Sequence, residues 1–354
     1  MIITTSICSN YLGKALALGE SVKKYNPEAK FIISLVEDSI PDLSQYRNNY
    51  DEVVLSKDLG FKNFQSFIFR HSIVEASTAV KGQLFRYLMS AYPEEDKFVY
   101  IDPDCLVFAP LESLNKRLDD NEIVLTPHLL SPGNVQMEIS CLKHGVFNLG
   151  FLGIRRGAEG ERFVNWWAER LYRYCYEDFE SGLFTDQKWI NLAPCFFNIC
   201  IFRDPGYNFA TWNFMERRLS KVNGNFYVDE KYPLTFVHFS GFDRGTFGWA
   251  NSQWAPIDRQ HLGVELSEIY SNAVARNGES TFKKIPWGYN RFLSGTEIGK
   301  THRQAFREHF KTNPQAEDIN PFESEMSPFV HLSKAKNSGL RPRIISKIKR
   351  MISL

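Results

Sequence analysis

The sequence predicts an α/β fold built on a mixed, mostly parallel sheet. Three observations predict it. Short strands that are apolar end to end alternate with helical patterns from residue 2 onward. The 354 residues are ample for a buried core. Hydrophobic residues at 43% and charged residues at 23% are those of an ordinary globular chain, which excludes a disordered, collagen-like or coiled-coil protein.

The elements follow in order. Ile2 to Ile7 reads as a buried strand, a turn follows at Ser9-Asn10-Tyr11, and apolar spacing predicts a helix from Leu12 to Tyr25 that stops at Asn26-Pro27. Phe31–Val36 is a second strand and 53–55 a third. Residues 79–92 carry one apolar helical face. Strands at 98–101 and 123–125 come next, then a strand from Phe147 to Ile154 carrying Asn148 and Gly150. Residues 161–176 read as a helix. Thr185 is placed to cap a helix that starts at Asp186 and ends at Pro194. Leu234–Phe239 is a late strand containing His238, and from 257 the pattern turns helical. There is no internal repeat.

The charge balance is 42 basic against 41 acidic residues, a net charge of +1, which gives no global argument for nucleic-acid binding. The average hides an asymmetry. Seven of the basic residues lie between Lys334 and Arg350 with no acidic residue among them, leaving 35 against 41 elsewhere. Apolar residues at 344, 345, 348, 351 and 352 have helical spacing, so 333–354 is expected to form a basic amphipathic tail that lies on an anionic membrane surface. A solvated terminus or a helix docked on the protein is the alternative. Six cysteines show no metal spacing, the N-terminus lacks a secretory pattern, and no apolar run is long enough to span a bilayer. The expected location is the cytoplasm, peripherally on the inner face of the membrane.

In parallel sheets ligands bind beyond the carboxyl ends of the strands, so residues just after strands matter most. Asp102-Pro103-Asp104 follows the strand at 98–101. Two carboxylates at i and i+2 point to one side of an extended segment and suit Mg²⁺ or Mn²⁺ on a diphosphate; capping a following helix is the plainer reading. An aspartyl phosphatase is disfavoured, since Leu106 stands where Thr or Val is wanted. His238 is a third candidate ligand or a structural histidine. Gly241 permits close approach of a phosphate, and Arg244 supplies charge. Asp186-Gln187 and Asn148 are polar groups able to line a ligand or merely cap turns.

Taken in order, these pieces resemble the GT-A glycosyltransferases, most closely family 8, which includes the lipooligosaccharide galactosyltransferases and glycogenin. The matching residues are Asn10-Tyr11, Arg86, Asp102-Pro103-Asp104, Asn148-Leu149-Gly150, Asp186-Gln187, His238 to Gly241, and Arg244, over roughly residues 1–250. The resemblance implies a GT-A domain at 1–256, a helical extension at 257–332 and the tail at 333–354. It implies a hexosyltransferase that moves a sugar from a nucleotide-diphosphate sugar to a glycan or lipid-linked acceptor in surface polysaccharide or lipopolysaccharide synthesis, with retained anomeric configuration. Asp102, Asp104 and His238 would hold Mn²⁺ or Mg²⁺. Asn10, Tyr11, Arg86, Asp102, Gly241 and Arg244 would bind the donor. Asn148, Asp186 and Gln187 would line the reacting centre. The chain departs from the family in having Cys8-Ser9 where an acidic residue reads uracil, and Arg244 in place of Lys. Two other classes stay open: a non-catalytic glycan-binding or membrane scaffold, and a sugar nucleotidyltransferase, whose Gly-rich basic loop after the first strand is missing.

Overall fold

A computed structural model describes residues 1–323; the expected basic tail lies outside them. The strands of the main sheet are β1 (Ile2–Ile7), β2 (Lys30–Leu35), β3 (Glu52–Leu55), β4 (Lys97–Ile101), β6 (Ile123–Leu125), β7 (Phe151–Arg155) and the pair Cys200–Ile201, while β5 (Cys105–Val107) belongs to a second sheet. The helices among them are α1 (Leu12–Tyr25), α2 (Phe64–Phe69), α3 (Ile73–Ala79), α4 (Lys81–Ala91), α5 (Glu112–Asp120), α6 (Val135–His144) and α7 (Ala158–Tyr174).

The main sheet runs Cys200–Ile201, β6, β7, β4, β1, β2, β3. Only β7 is antiparallel to its neighbours, so the sheet is mostly parallel as expected. Strand β1 pairs with β2 on one side and β4 on the other. The chain therefore changes direction of travel across the sheet between β1 and β4. This is the switch point where loops part and leave a crevice. The loop Cys8–Tyr11 after β1 and the loop Asp102–Asp104 after β4 flank it.

The strands are buried on both faces, and successive side chains enter different clusters. In β1, Ile2 joins one apolar cluster, and Ile3 and Ile7 join the other. Helices cover both faces, which is why the strands read as unbroken apolar runs. The second sheet pairs β5 antiparallel with Phe236–His238, which in turn pairs parallel with Phe209–Ala210. Its register sets His238 opposite Cys105, and the Phe239 N–H donates to the Asp104 carbonyl at 2.8 Å. Two segments more than 130 residues apart in sequence meet at the crevice through this ladder.

Three expectations shift. The strand predicted from Phe147 begins at Phe151, and Asn148–Gly150 forms a turn in front of it. No helix starts at Asp186. Thr185 takes a left-handed φ of 44°, a 3₁₀ turn covers Lys188–Leu192, and a short helix follows at Ala193–Phe196. Pro194 opens that helix instead of ending one, because its missing N–H costs nothing in a first turn.

Beyond 257 the described chain is helical at Gln260–Arg276, Glu279–Phe282 and Lys300–Thr312. Its side chains enter all three apolar clusters: Trp287 and Tyr289 one, Phe282 the second, Leu262, Leu266 and Tyr270 the third.

Candidate active site

The crevice is a cleft of about 200 Å³ lined by Ser6, Cys8, Asn10, Tyr11, Thr78, Tyr100, Asp102 and Asp104, among others. Asn10 and Tyr11 lie in a 3₁₀ turn that leads into α1. The Tyr11 ring is exposed and stands at the rim.

At the base of the cleft three candidate ligands converge. His238 Nε2 lies 3.1 Å from Asp104 Oδ1 and 3.8 Å from Asp102 Oδ2. The imidazole is buried, and its ring backs onto Gly150, where a Cβ would sit 2.5 Å from His238 Cε1. Burial alone would lower the His238 pKa, but the Asp104 and Asp102 carboxylates raise it overall. Burial conversely pushes the Asp104 carboxyl up, and His238 with Lys14 more than reverses it. The two opposite charges stabilise one another.

Two carboxylates and an imidazole nitrogen suit a hard or borderline divalent ion such as Mn²⁺. The Cys105 sulfur also lies within 4.8 Å of the Asp104 and His238 ligand atoms. Its thiol is fully buried and its pKa is raised well above the usual value, chiefly by that burial. A carboxylate oxygen suits a hard divalent ion better than a thiol does, which favours Asp102, 3.8 Å from His238 Nε2, as the third donor for Mn²⁺ or Mg²⁺.

A cation missing from the sequence reading organises the rest. Lys81, at the start of α4, is 2% exposed. Its ammonium reaches Asp102 at 3.2 Å, Asp186 at 2.9 Å and the Leu149 carbonyl at 2.9 Å, and stands over the Tyr100 ring. Burial lowers its pKa, and the two carboxylates more than restore it, so it stays charged. Arg86, expected at this place, is five residues further on, roughly 140° around the helix. It hydrogen-bonds the side chain and carbonyl of Asn165 on α7 instead and does not join the site. The signal for Lys81 was a lysine inside an apolar helical face beside Gly82. That glycine lets α4 approach α7 so closely that a Cβ would meet Ala168 Cα at 2.5 Å.

Asn148, Asp186 and Gln187 do come together, all buried. Asn148 Oδ1 accepts from the Gly150 N–H at 3.1 Å and from Asn208 Nδ2 at 3.0 Å. Asn148 Nδ2 faces His128 Nε2 at 3.3 Å and Gln187 Oε1 at 3.4 Å. Gln187 Oε1 also accepts from the Leu149 N–H, and its Nε2 donates to the His144 carbonyl. The amide is thus committed at both ends and holds the turn before β7. Thr185 pays for this placement with strained backbone, a β-branched residue at positive φ directly before Asp186. Its hydroxyl donates to Asp186 Oδ1 at 3.1 Å, and the Trp167 indole N–H supports the Asp186 carbonyl.

Gly241 adopts the left-handed region at φ 71°, with Thr246 Oγ1 2.7 Å from where a Cβ would be. Arg244 is exposed, and among the described residues its guanidinium makes no hydrogen bond or ion pair. His128 and Glu37 also escaped the sequence reading. Glu37, buried at the end of β2, accepts the N–H groups of Ser9 at 2.9 Å and Gly288 at 2.8 Å. It ties the turn beside the cleft to the C-terminal segment.

No protein-family model matches the chain. Two uncharacterized proteins of Bacillus subtilis (strain 168) are similar in sequence. YfnF is 24% identical over 247 residues, covering 67% of this chain and 80% of its own length. YfnD is 28% identical over 178 residues, covering 49% and 56%. Among solved structures, the chain is similar to the galactosyltransferase LgtC in complex with donor and acceptor sugar analogs, at 19% identity and a TM-score of 0.45, over 78% of this chain and 96% of that one. It is similar to the glycosyltransferase GlyE of Streptococcus pneumoniae TIGR4, at 20% identity and 0.45, over 82% and 66%.

Proposed function

We propose that this chain is a metal-dependent glycosyltransferase that takes a nucleotide-diphosphate sugar as donor and a glycan hydroxyl as acceptor. The observation that carries the reading is the convergence at the β1/β4 switch point. Asp102, Asp104 and His238 meet at the base of a cleft rimmed by Asn10 and Tyr11, and Lys81 couples Asp102 to Asp186.

In this reading Asp102, Asp104 and His238 hold a divalent ion, Mn²⁺ or Mg²⁺. When bound, the ion offsets the negative charge that grows on the diphosphate as the sugar bond breaks. Asn10 and Tyr11 border the nucleoside. Arg244, exposed and without a side-chain partner among the described residues, supplies a second positive charge to the phosphates. Asn148, Asp186 and Gln187 sit where the sugar would be oriented.

The transfer breaks the bond between the anomeric carbon and the β-phosphate oxygen and forms one to the acceptor oxygen. Asp186 is held in an ion pair with Lys81, and Gln187 is committed at both ends of its amide. Neither is disposed as a nucleophile. Front-face attack with retention fits better than a covalent intermediate, the acceptor proton passing to the departing phosphate oxygen.

The test is release of nucleoside diphosphate from a panel of nucleotide sugars, with saturating Mn²⁺ and with chelator. Metal-dependent release from one donor supports the reading. No binding and no release from any donor overturns it.

A further inference from the structure

One buried cation stands behind the cleft-lining Tyr11 and has no part in the scheme above. Lys14 lies in the first turn of α1, three residues after Tyr11, and is 4% exposed. Its ammonium stands 4.2 Å from the centre of the Tyr11 ring. Burial pulls its pKa down, while Asp243, Tyr11 and Asp104 together raise it, so it is charged.

Its position is unusual in physical terms. A positive charge in the first turn of a helix opposes the helix dipole. Helix α1 has no acidic residue in that turn to offset it. The compensating anion comes from 229 residues away: Asp243 Oδ2, at 2.7 Å. The two partners are unequal. The Lys14 side chain is 5% exposed and Asp243 39%. Asp243 is the middle residue of the turn Phe242–Arg244, which has left-handed glycines at both ends, Gly241 at φ 71° and Gly245 at φ 74°. The lysine is fixed in the core, and the carboxylate rides on a surface turn between two permissive pivots.

We propose that Lys14 is a phosphate-binding cation of the donor site, and that Asp243 holds its ammonium in the ligand-free protein as an internal substitute for phosphate. The inference rests on the nucleotide-sugar reading above. An anion at the start of α1 is favoured by both the helix terminus and the lysine. A diphosphate brought there by Asp102, Asp104 and their ion carries that charge, and Asp243 must then give way. Because Asp243 competes with the donor, the pair lowers donor affinity instead of building it.

This gives opposite signs for the two partners, which a purely structural ion pair does not. The experiment is calorimetric titration of the full chain with Mn²⁺ and each of UDP, GDP, TDP, ADP and CDP, for wild type, Lys14→Met, Lys14→Arg, Asp243→Asn and the double variant Lys14→Met/Asp243→Asn. For whichever nucleotide binds wild type, Asp243→Asn should tighten binding, roughly threefold to tenfold. Lys14→Met should weaken it by roughly tenfold or more. The double variant should behave as Lys14→Met, and Lys14→Arg should stay near wild type. Weaker or unchanged binding in Asp243→Asn overturns the proposal, even if Lys14→Met fails to fold. If none of the five binds wild type, the nucleotide-sugar reading itself has failed.

Discussion

At the scale of residues, the site is a balance of buried charges, and each can be disturbed singly. Lys81 compensates two carboxylates at once, Asp102 and Asp186. Lys81→Met leaves them facing each other in a buried place and should destabilise the fold by about 3–5 kcal/mol. Denaturant titration measures this, and Lys81→Arg should recover only part of it. Asp104→Asn keeps the shape of the ligand set and removes its charge. It should abolish metal-dependent turnover, by roughly a hundredfold or more, with the circular dichroism unchanged. His128 makes the pH dependence specific. Burial is the main cause of its pKa falling from 6.5 to about 4. The unfolded chain takes up that proton near pH 6.5 and the folded chain only near 4, so stability is full above pH 6.5. It falls as the pH drops toward 4, by up to about 3 kcal/mol. His128→Gln should flatten that decline in denaturant titrations at pH 7, 5.5 and 4.5.

At the scale of elements, the positions of the functional side chains depend on close backbone approaches. Gly150 leaves room for the His238 ring, and Gly82 for the crossing of α4 on α7. Gly150→Ala should weaken Mn²⁺ binding by displacing His238. Gly82→Ala should cost about 1–3 kcal/mol of stability with metal binding affected only through Lys81. Calorimetry and denaturant titration separate the two outcomes. The same elements show what was legible in the sequence. Strands β1 to β4, β6 and helix α1 were readable because each is apolar in its own period, whereas the two-residue strand Cys200–Ile201 was too short to show one. The position of Asp102-Pro103-Asp104 directly after a buried strand was readable, because the apolar run 98–101 ends there, while the role of the two carboxylates was open between metal binding and capping. The segment 185–196 was not, since Thr185 breaks the backbone preferences of its own side chain to present Asp186. Lys81 stood out only as a lysine inside an apolar helical face; for it and for Lys14 the compensating carboxylates are far along the chain, so neither partner could be read from the sequence.

At the scale of the whole molecule, the site is assembled from segments far apart in the chain. The first turn, the β4 loop, the turn before β7, residues 185–187 and His238 meet at one end of the sheet. The segment beyond 257 reaches the same region. Trp287 donates to the Val36 carbonyl and the Gly288 N–H to Glu37, which also accepts from Ser9 at the cleft. Nothing local in the sequence announces that contact, because its partners are about 250 residues apart and none is charged except Glu37. The measurement that tests the account most directly is a thermal-shift comparison of wild type and Asp104→Asn with UDP, GDP, TDP, ADP and CDP, each with and without Mn²⁺. A ligand bound only by the folded state raises the melting temperature. The account predicts that one nucleotide stabilises the wild type, only with Mn²⁺, and that Asp104→Asn loses the effect. A nucleotide shift that is equal without metal, or that survives in Asp104→Asn, contradicts it.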